Sequence, residues 1–133
     1  MGPRNSLALV TYLARDYDEA IAWFQDALGF VLIEDTDQGG GKRWVRMAAT
    51  ESAQTAFLIA RAVGDQAMSV GNAASGRVAY FLYTDDFDGM FTQMRAADVI
   101  FEETARRDAY GTVAVFRDLY GNRWDLIEPS DAC

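Results

Sequence analysis

Residues 118–129 read DLYGNRWDLIEP, a pattern that predicts a tight turn followed by a β-strand. Gly121 and Asn122 are the two residue types that tolerate positive φ in a tight hairpin turn. Residues 123–128 then alternate between two faces of a strand. Pro129 is expected to end the strand because it lacks an amide donor.

Asp125 is the unusual member of this strand. Its neighbours Trp124 and Leu126 are apolar, and it shares a face with Ile127. Because burial of a lone carboxylate is costly, such a side chain is partnered, bound to a ligand or placed at the rim of a cavity. Alternatively, the strand lies at a sheet edge and Asp125 points into solvent. The spacing within the strand leaves both interpretations open.

Composition predicts one soluble, acidic domain. The chain has 133 residues, of which 50% are hydrophobic, so a well-packed core is expected. Twelve basic residues stand against twenty acidic ones, and the net charge of −8 argues against a nucleic-acid partner. Because no apolar run reaches membrane-spanning length and no signal peptide is visible, we expect no membrane partner and a cytoplasmic location.

Histidine is absent from the chain, and Cys133 is its single cysteine. No imidazole is therefore available as a base or as a metal ligand, and no Ser-His-Asp or Cys-His set can form. A lone cysteine provides neither a disulfide framework nor a thiolate metal site.

The chain contains the same order of elements twice. An apolar strand over residues 7–14 precedes a helix capped by Asp16 and ended by Gly29, and strands follow at 30–35, 43–47 and 55–60. A strand over 77–84 then precedes a helix capped by Asp86, with strands at 99–101, 112–116 and 123–128. Adding 70 to the residue number carries Leu9 to Ala79 and Asp16 to Asp86. The predicted organisation of residues 1–133 is a single domain with a βαβββ module over 5–62, a linker over 63–76 and a second module over 77–130.

Two segments carry a family resemblance. Residues 15–24, RDYDEAIAWF, run into Leu28-Gly29-Phe30, and the second segment is 116–122, FRDLYGN. With the strand through Asp125, they resemble the vicinal oxygen chelate superfamily, which includes glyoxalase, bleomycin resistance proteins and extradiol dioxygenases. The resemblance implies an α+β fold in which two βαβββ modules form a paired, cup-like mixed sheet with the helices outside.

The metal-binding positions of that superfamily are not filled with ligands in this sequence. The resemblance places them on the first and last strands of each module, at Leu9, Leu58, Ala79 and Asp125. Only Asp125 carries a donor atom, whereas a divalent ion needs several converging donors. We therefore expect no metal and no other cofactor.

Strand alternation predicts which side chains face the cup. The predicted ligand-binding residues are Leu9, Thr11, Trp44, Arg46, Leu58, Ala79, Phe81, Tyr83 and Asp125. Together they describe an apolar and aromatic pocket with a few polar groups, the usual form of a small-molecule site. Alternatively, residues such as Leu9 and Phe81 fill the protein interior.

Three classes of function remain. The first is a metal-free binding protein of the antibiotic-resistance type, which would hold a planar or cationic small molecule. The second is a metal-free enzyme of the same superfamily that uses Asp125, Tyr83 or Tyr110 as acid or base. The third is a metal-dependent lyase or dioxygenase. The resemblance also implies a homodimer, an expectation that a surplus of strand aromatics and an exposed Trp23 would support.

One glycine-rich segment does not fit the phosphate-loop pattern. Residues 71–78 read GNAASGRV and have the glycine spacing, but neither Lys nor Ser/Thr follows the second glycine. The segment is therefore not assigned as a phosphate loop.

Overall fold

The computed structural model describes residues 2–130, so Cys133 lies outside the described residues. The chain divides into two compact units between Val70 and Gly71. This boundary falls inside the predicted linker of 63–76, where Gly64–Ser69 form a 3-10 helix. Within residues 2–130, no helix is both long and apolar enough to cross a membrane.

The first unit is a four-stranded mixed sheet with one helix. Its elements are β1 (Leu9–Ala14), α1 (Tyr17–Leu28), β2 (Val31–Gly39), β3 (Lys42–Ala48) and β4 (Ala56–Arg61). The strand order is β1-β4-β3-β2, in which β1 and β4 are parallel and the other pairs are antiparallel. β2 extends beyond the predicted end at Asp35 as far as Gly39, because its pairing with β3 continues to Lys42.

Helix α1 begins and ends where its capping residues predict. The Asp16 carboxylate accepts a hydrogen bond from the Glu19 amide at 2.8 Å, and Gly29 closes the helix with φ of 69°. The helix packs on one sheet face through aromatic side chains. Phe24 contacts Tyr12 at a ring-centroid distance of 5.0 Å and Phe30 at 5.2 Å. This cluster forms the core of the first unit.

The second unit repeats this arrangement with one interruption. Its elements are β5 (Val78–Tyr83), α2 (Phe87–Ala96), β6 (Ile100–Phe101), β7 (Arg106–Asp108), β8 (Gly111–Arg117) and β9 (Arg123–Pro129). The strand order is β5-β9-β8-β6, and β7 also pairs with β8. The sequence did not predict β7. Together β6 and β7 occupy the position that β2 holds in the first unit, which shows that the corresponding edge strand is broken in two.

Aromatic packing also forms the core of the second unit. Trp124 lies 4.9 Å from Tyr80 and 5.5 Å from Phe116 between ring centroids, and Phe101 lies 4.4 Å from Phe91 of α2. Phe87 and Met94 are buried on the helix. The two sheets and their helices thus form the expected pair of βαβββ modules.

The turn between β8 and β9 is held by a buried carboxylate. Asp118 is 6% exposed and accepts hydrogen bonds from the Tyr120 and Asn122 amides, each at 3.0 Å. The Trp124 indole donates to the same carboxylate at 2.9 Å. Gly121 has a φ of 97°, whereas Asn122 is not among the positive-φ residues. Asn122 is 4% exposed, and its side chain bonds Asp118 and the Ala73 amide instead.

Candidate ligand-binding site

The predicted ligand residues of the first unit share one sheet face. Thr11 pairs with Leu58, and Leu58 pairs with Arg46, so the three lie side by side across β1, β4 and β3. Tyr12 packs on α1, and the alternation of strand side chains therefore places Thr11 on the face away from the helix. Leu9 and Trp44, each two residues from a member of this row, share that face. We call it the open face of the first sheet.

Arg46 does not stand alone on this face. Its Nε donates to Glu34 Oε1 at 2.9 Å, and this hydrogen bond, together with one from Thr36, lowers the pKa of Glu34. Sequence reasoning missed Glu34, because an irregularity in the β2–β3 register between Leu32 and Glu34 decides which residue faces Arg46. The Arg46 guanidinium is therefore already paired with a carboxylate of the neighbouring strand.

Of the predicted residues of the second unit, Phe81, Tyr83 and Asp125 share a face, whereas Ala79 falls at an irregularity in the β5–β9 register between Val78 and Tyr80. Phe81 pairs with Asp125, and Tyr83 pairs with Ile127. Phe81 is 59% exposed and Tyr83 is 68% exposed, although both lie within a strand. Tyr80 points the other way and packs on Trp124. The open face of the second sheet thus presents two aromatic side chains beside a carboxylate.

Asp125 lies on an interior strand of the sheet. β9 pairs with both β5 and β8, so the interpretation of Asp125 as a solvated edge-strand residue was wrong. Its Oδ1 atom is buried, and among residues 2–130 it has no hydrogen-bond partner. Burial raises the pKa of Asp125, and the positive charges of Arg106 and Arg123 only partly oppose this effect. An unpaired buried carboxylate oxygen is costly unless a ligand or water offsets it.

The two tyrosines predicted as acid–base candidates have different surroundings. Tyr83 is exposed on the open face, two residues along β5 from the partner of Asp125. Tyr110 is 54% exposed in the turn between β7 and β8, and a hydrogen bond joins it to Arg106. The charge of Arg106 also acts on Asp125. Arg106 is therefore a polar neighbour of this face that the sequence did not identify.

The residues present do not fit the metal of the metal-dependent superfamily members. Leu9, Leu58 and Ala79 lie on β1, β4 and β5, as the alignment of modules predicted, and none has a donor atom. In the described part of the chain, no three His, Cys, Asp or Glu side chains are grouped so that they could hold a metal ion. We assign no chemical step to a metal here.

Comparison with known proteins agrees with this architecture. The model of the Glyoxalase/Bleomycin resistance protein/Dioxygenase superfamily matches residues 6–126. The chain therefore belongs to this superfamily. An uncharacterized protein from Shewanella frigidimarina is 42% identical over 130 residues, covering 96% of each chain.

Two solved structures share the fold closely. UcmS2 has a TM-score of 0.80 and 25% identity, covering 95% of this chain and 99% of its own. TnmS3, described as an antibiotic binding protein from Streptomyces sp. CB03234, has a TM-score of 0.79 and 25% identity, covering 98% of this chain and 100% of its own.

Proposed function

We propose that this protein binds a small aromatic or cationic molecule on the open face of its second sheet, without a metal. The observation that carries the proposal is the buried Oδ1 of Asp125, which has no hydrogen-bond partner among residues 2–130. A cation or a hydrogen-bond donor on the ligand would offset the cost of this oxygen. Phe81 and Tyr83 would supply the apolar contact area.

Exposure of the aromatic side chains supports a binding role. Large apolar groups clustered on one exposed face commonly mark interaction sites. On the first sheet, Arg46 and Glu34 would provide a separate pair of polar groups for a ligand on that face. The similarity to TnmS3, an antibiotic binding protein, favours an antibiotic-like ligand.

A metal-free enzyme is the second candidate, and one observation favours it. A carboxylate whose pKa is raised by burial is a better general base near neutral pH than an ordinary aspartate. In this role Asp125 would abstract a proton from the bound molecule, and Tyr83, on the same face, would be the candidate donor. The two candidates differ in a simple observable, because an enzyme releases a changed product and a binding protein returns its ligand intact.

A thermal-shift screen of aromatic and cationic compounds, including natural antibiotics, tests the proposal. We expect at least one compound to raise the melting temperature saturably and to be recovered unchanged after incubation. Asp125→Asn should weaken its binding about tenfold, since a hydrogen bond to a charged group is lost. Asp26→Asn, an exposed aspartate on α1, is the matched control and should bind as the native protein does.

Phe81→Ala should also weaken binding of the compound found in the screen. Met68→Ala, which shortens another exposed apolar side chain, should leave that binding unchanged. Saturable binding that survives both Asp125→Asn and Phe81→Ala would contradict this site. Conversion of the hit to a product that Asp125→Asn abolishes would establish the enzyme instead.

A further inference from the structure

Three arginines border a cavity of about 220 Å3 in the second unit. Arg77 precedes β5, Arg117 ends β8 and Arg123 begins β9. Apart from the arginines, the lining consists of Gly, Ala and Asn residues from 71–79 and 121–122, and none of the lining residues is acidic. A protein with a net charge of −8 thus concentrates positive charge at one concave site.

One carboxylate close to the cavity offsets part of this charge. Glu102 pairs with Arg123 Nε at 2.9 Å and with Arg117 Nε at 3.0 Å, and these arginines lower the pKa of Glu102. Arg123 also donates through Nη1 to the Gly76 carbonyl at 3.1 Å, so its donors are largely committed to the protein. Arg123 therefore acts as a positioning residue, because its hydrogen bond to Gly76 connects the start of β9 with the loop before β5.

Arg77 and Arg117 retain donors for a ligand. Arg117 uses Nε for Glu102 and makes only a long contact, 3.4 Å, from Nη1 to the Gly121 carbonyl. Within residues 2–130, the structure gives the Arg77 guanidinium neither an ion pair nor a hydrogen bond, and the residue is exposed. Guanidinium groups bind phosphate-type oxyanions through paired, charge-assisted hydrogen bonds.

The loop that carries Arg77 is fixed in place before any ligand arrives. The Ala73 amide donates to Asn122 Oδ1 at 3.0 Å, and Asn122 is itself held by the buried Asp118. A side chain on Gly71 would place its Cβ 2.0 Å from the Tyr120 carbonyl oxygen, so the loop can approach the β8–β9 turn only with glycine there. A preorganised loop loses little entropy on binding.

We propose that this cavity binds a small tetrahedral oxyanion, such as inorganic phosphate or a terminal phosphate group, held by Arg77 and Arg117. The segment 71–78 has the glycine spacing of a phosphate loop but lacks its lysine, and the two arginines would supply the missing charge. This site is independent of the proposed aromatic or cationic ligand. Ala79 borders it, so it adjoins the start of the open face of the second sheet.

Titration with inorganic phosphate, followed by NMR of backbone amides, tests this site. Sodium chloride is adjusted so that ionic strength stays constant, because screening alone weakens surface electrostatics. We expect saturable shifts confined to residues 71–79, 117 and 121–123. Arg77→Met should weaken phosphate binding about tenfold, as expected for the loss of a charge-assisted contact.

Two further variants make the result decisive. Arg107→Met removes the same charge from β7, outside the cavity, and should leave phosphate affinity within about twofold of the native value, as expected for a screened surface charge. Arg77→Lys should restore part of the affinity, because it returns the charge without the guanidinium fork. Shifts that do not saturate, or an equal loss in Arg77→Met and Arg107→Met, would overturn the proposal.

Discussion

At the scale of single residues, two aspartates of one turn-and-strand segment have opposite environments. Asp118 is buried and receives donors from the backbone and from the Asn122 and Trp124 side chains. Asp125, on the strand that follows, has a buried oxygen without a partner among the described residues. The first carboxylate stabilises the turn, whereas the second costs stability, a cost that the proposed ligand would offset.

Asp118→Ala tests the structural role. The change leaves the Trp124 indole and two backbone amides without their acceptor, so we expect the free energy of unfolding to fall by about 3 kcal/mol. Urea denaturation followed by tryptophan fluorescence measures the loss. Asp26→Ala, on the exposed side of α1, should change stability by less than about 0.5 kcal/mol. Equal stability of Asp118→Ala and the native protein would contradict this account.

Asp125→Asn tests whether the buried carboxylate oxygen of Asp125, unpaired among the described residues, lowers the stability of the folded protein. Because the pKa of Asp125 is raised in the folded protein, its ionised form disfavours folding at pH values above that raised pKa. The variant should therefore be more stable than the native protein at neutral pH, by up to about 1 kcal/mol, a small value because the group is partly exposed and screened.

The advantage of Asp125→Asn should fade as the pH falls through the raised pKa toward the ordinary value of 3.8, and it should be absent well below 3.8, where Asp125 is protonated in both states. Urea midpoints measured across this range give the comparison. A variant that is less stable than the native protein at neutral pH would show that Asp125 has a stabilising partner.

At the scale of secondary-structure elements, local signals predicted most of the structure. Both helices start after the aspartates that the sequence singled out, and α1 ends at Gly29. The expected strand at 99–101 is present as β6, but β7, the second half of this broken edge strand, was not predicted, since it is only three residues long. Such a short strand carries too little alternation to be recognised, and it forms because β8 offers it a partner.

Removal of either helix cap should destabilise the protein by a similar amount. Asp16 accepts from the Glu19 amide at 2.8 Å, and Asp86 accepts from the Gly89 amide at 3.0 Å. Asp16→Ala and Asp86→Ala should each lower the free energy of unfolding by about 1 kcal/mol. Asp16→Asn and Asp86→Asn keep a capping acceptor and should remain close to native stability. Thermal or urea unfolding of the four variants gives the test, and equal losses for Ala and Asn would show that charge, not capping, matters.

At the scale of the whole molecule, several large apolar side chains are exposed on a protein with a net charge of −8. Phe81, Tyr83, Ile100 and Tyr110 of the second unit are all more than half exposed. Trp23 was expected to lie in water, but it is partly buried and contacts Phe24 at 5.2 Å, so it does not support pairing of two chains. The strand aromatics remain the feature that favours association.

We predict that the protein is a homodimer at micromolar concentration. Burial of exposed aromatic side chains would drive association, and the negative charge of each chain would oppose it. Association should therefore strengthen with added salt, because screening reduces the repulsion. Sedimentation velocity at low and high salt measures both effects. A monomer under all these conditions would refute the prediction.

The amino-acid sequence was enough to predict the two βαβββ modules and their repeat, the helix caps, the superfamily, and the lack of side-chain donors at Leu9, Leu58 and Ala79. These features depend on local periodicity, capping chemistry and residue identity, which the chain carries without reference to its fold. The interior position of β9, the contact of Glu34 with Arg46 and the cavity bordered by three arginines became apparent only from the folded chain. Strand partners, register and burial arise from contacts between residues distant in the chain, and no local pattern specifies them.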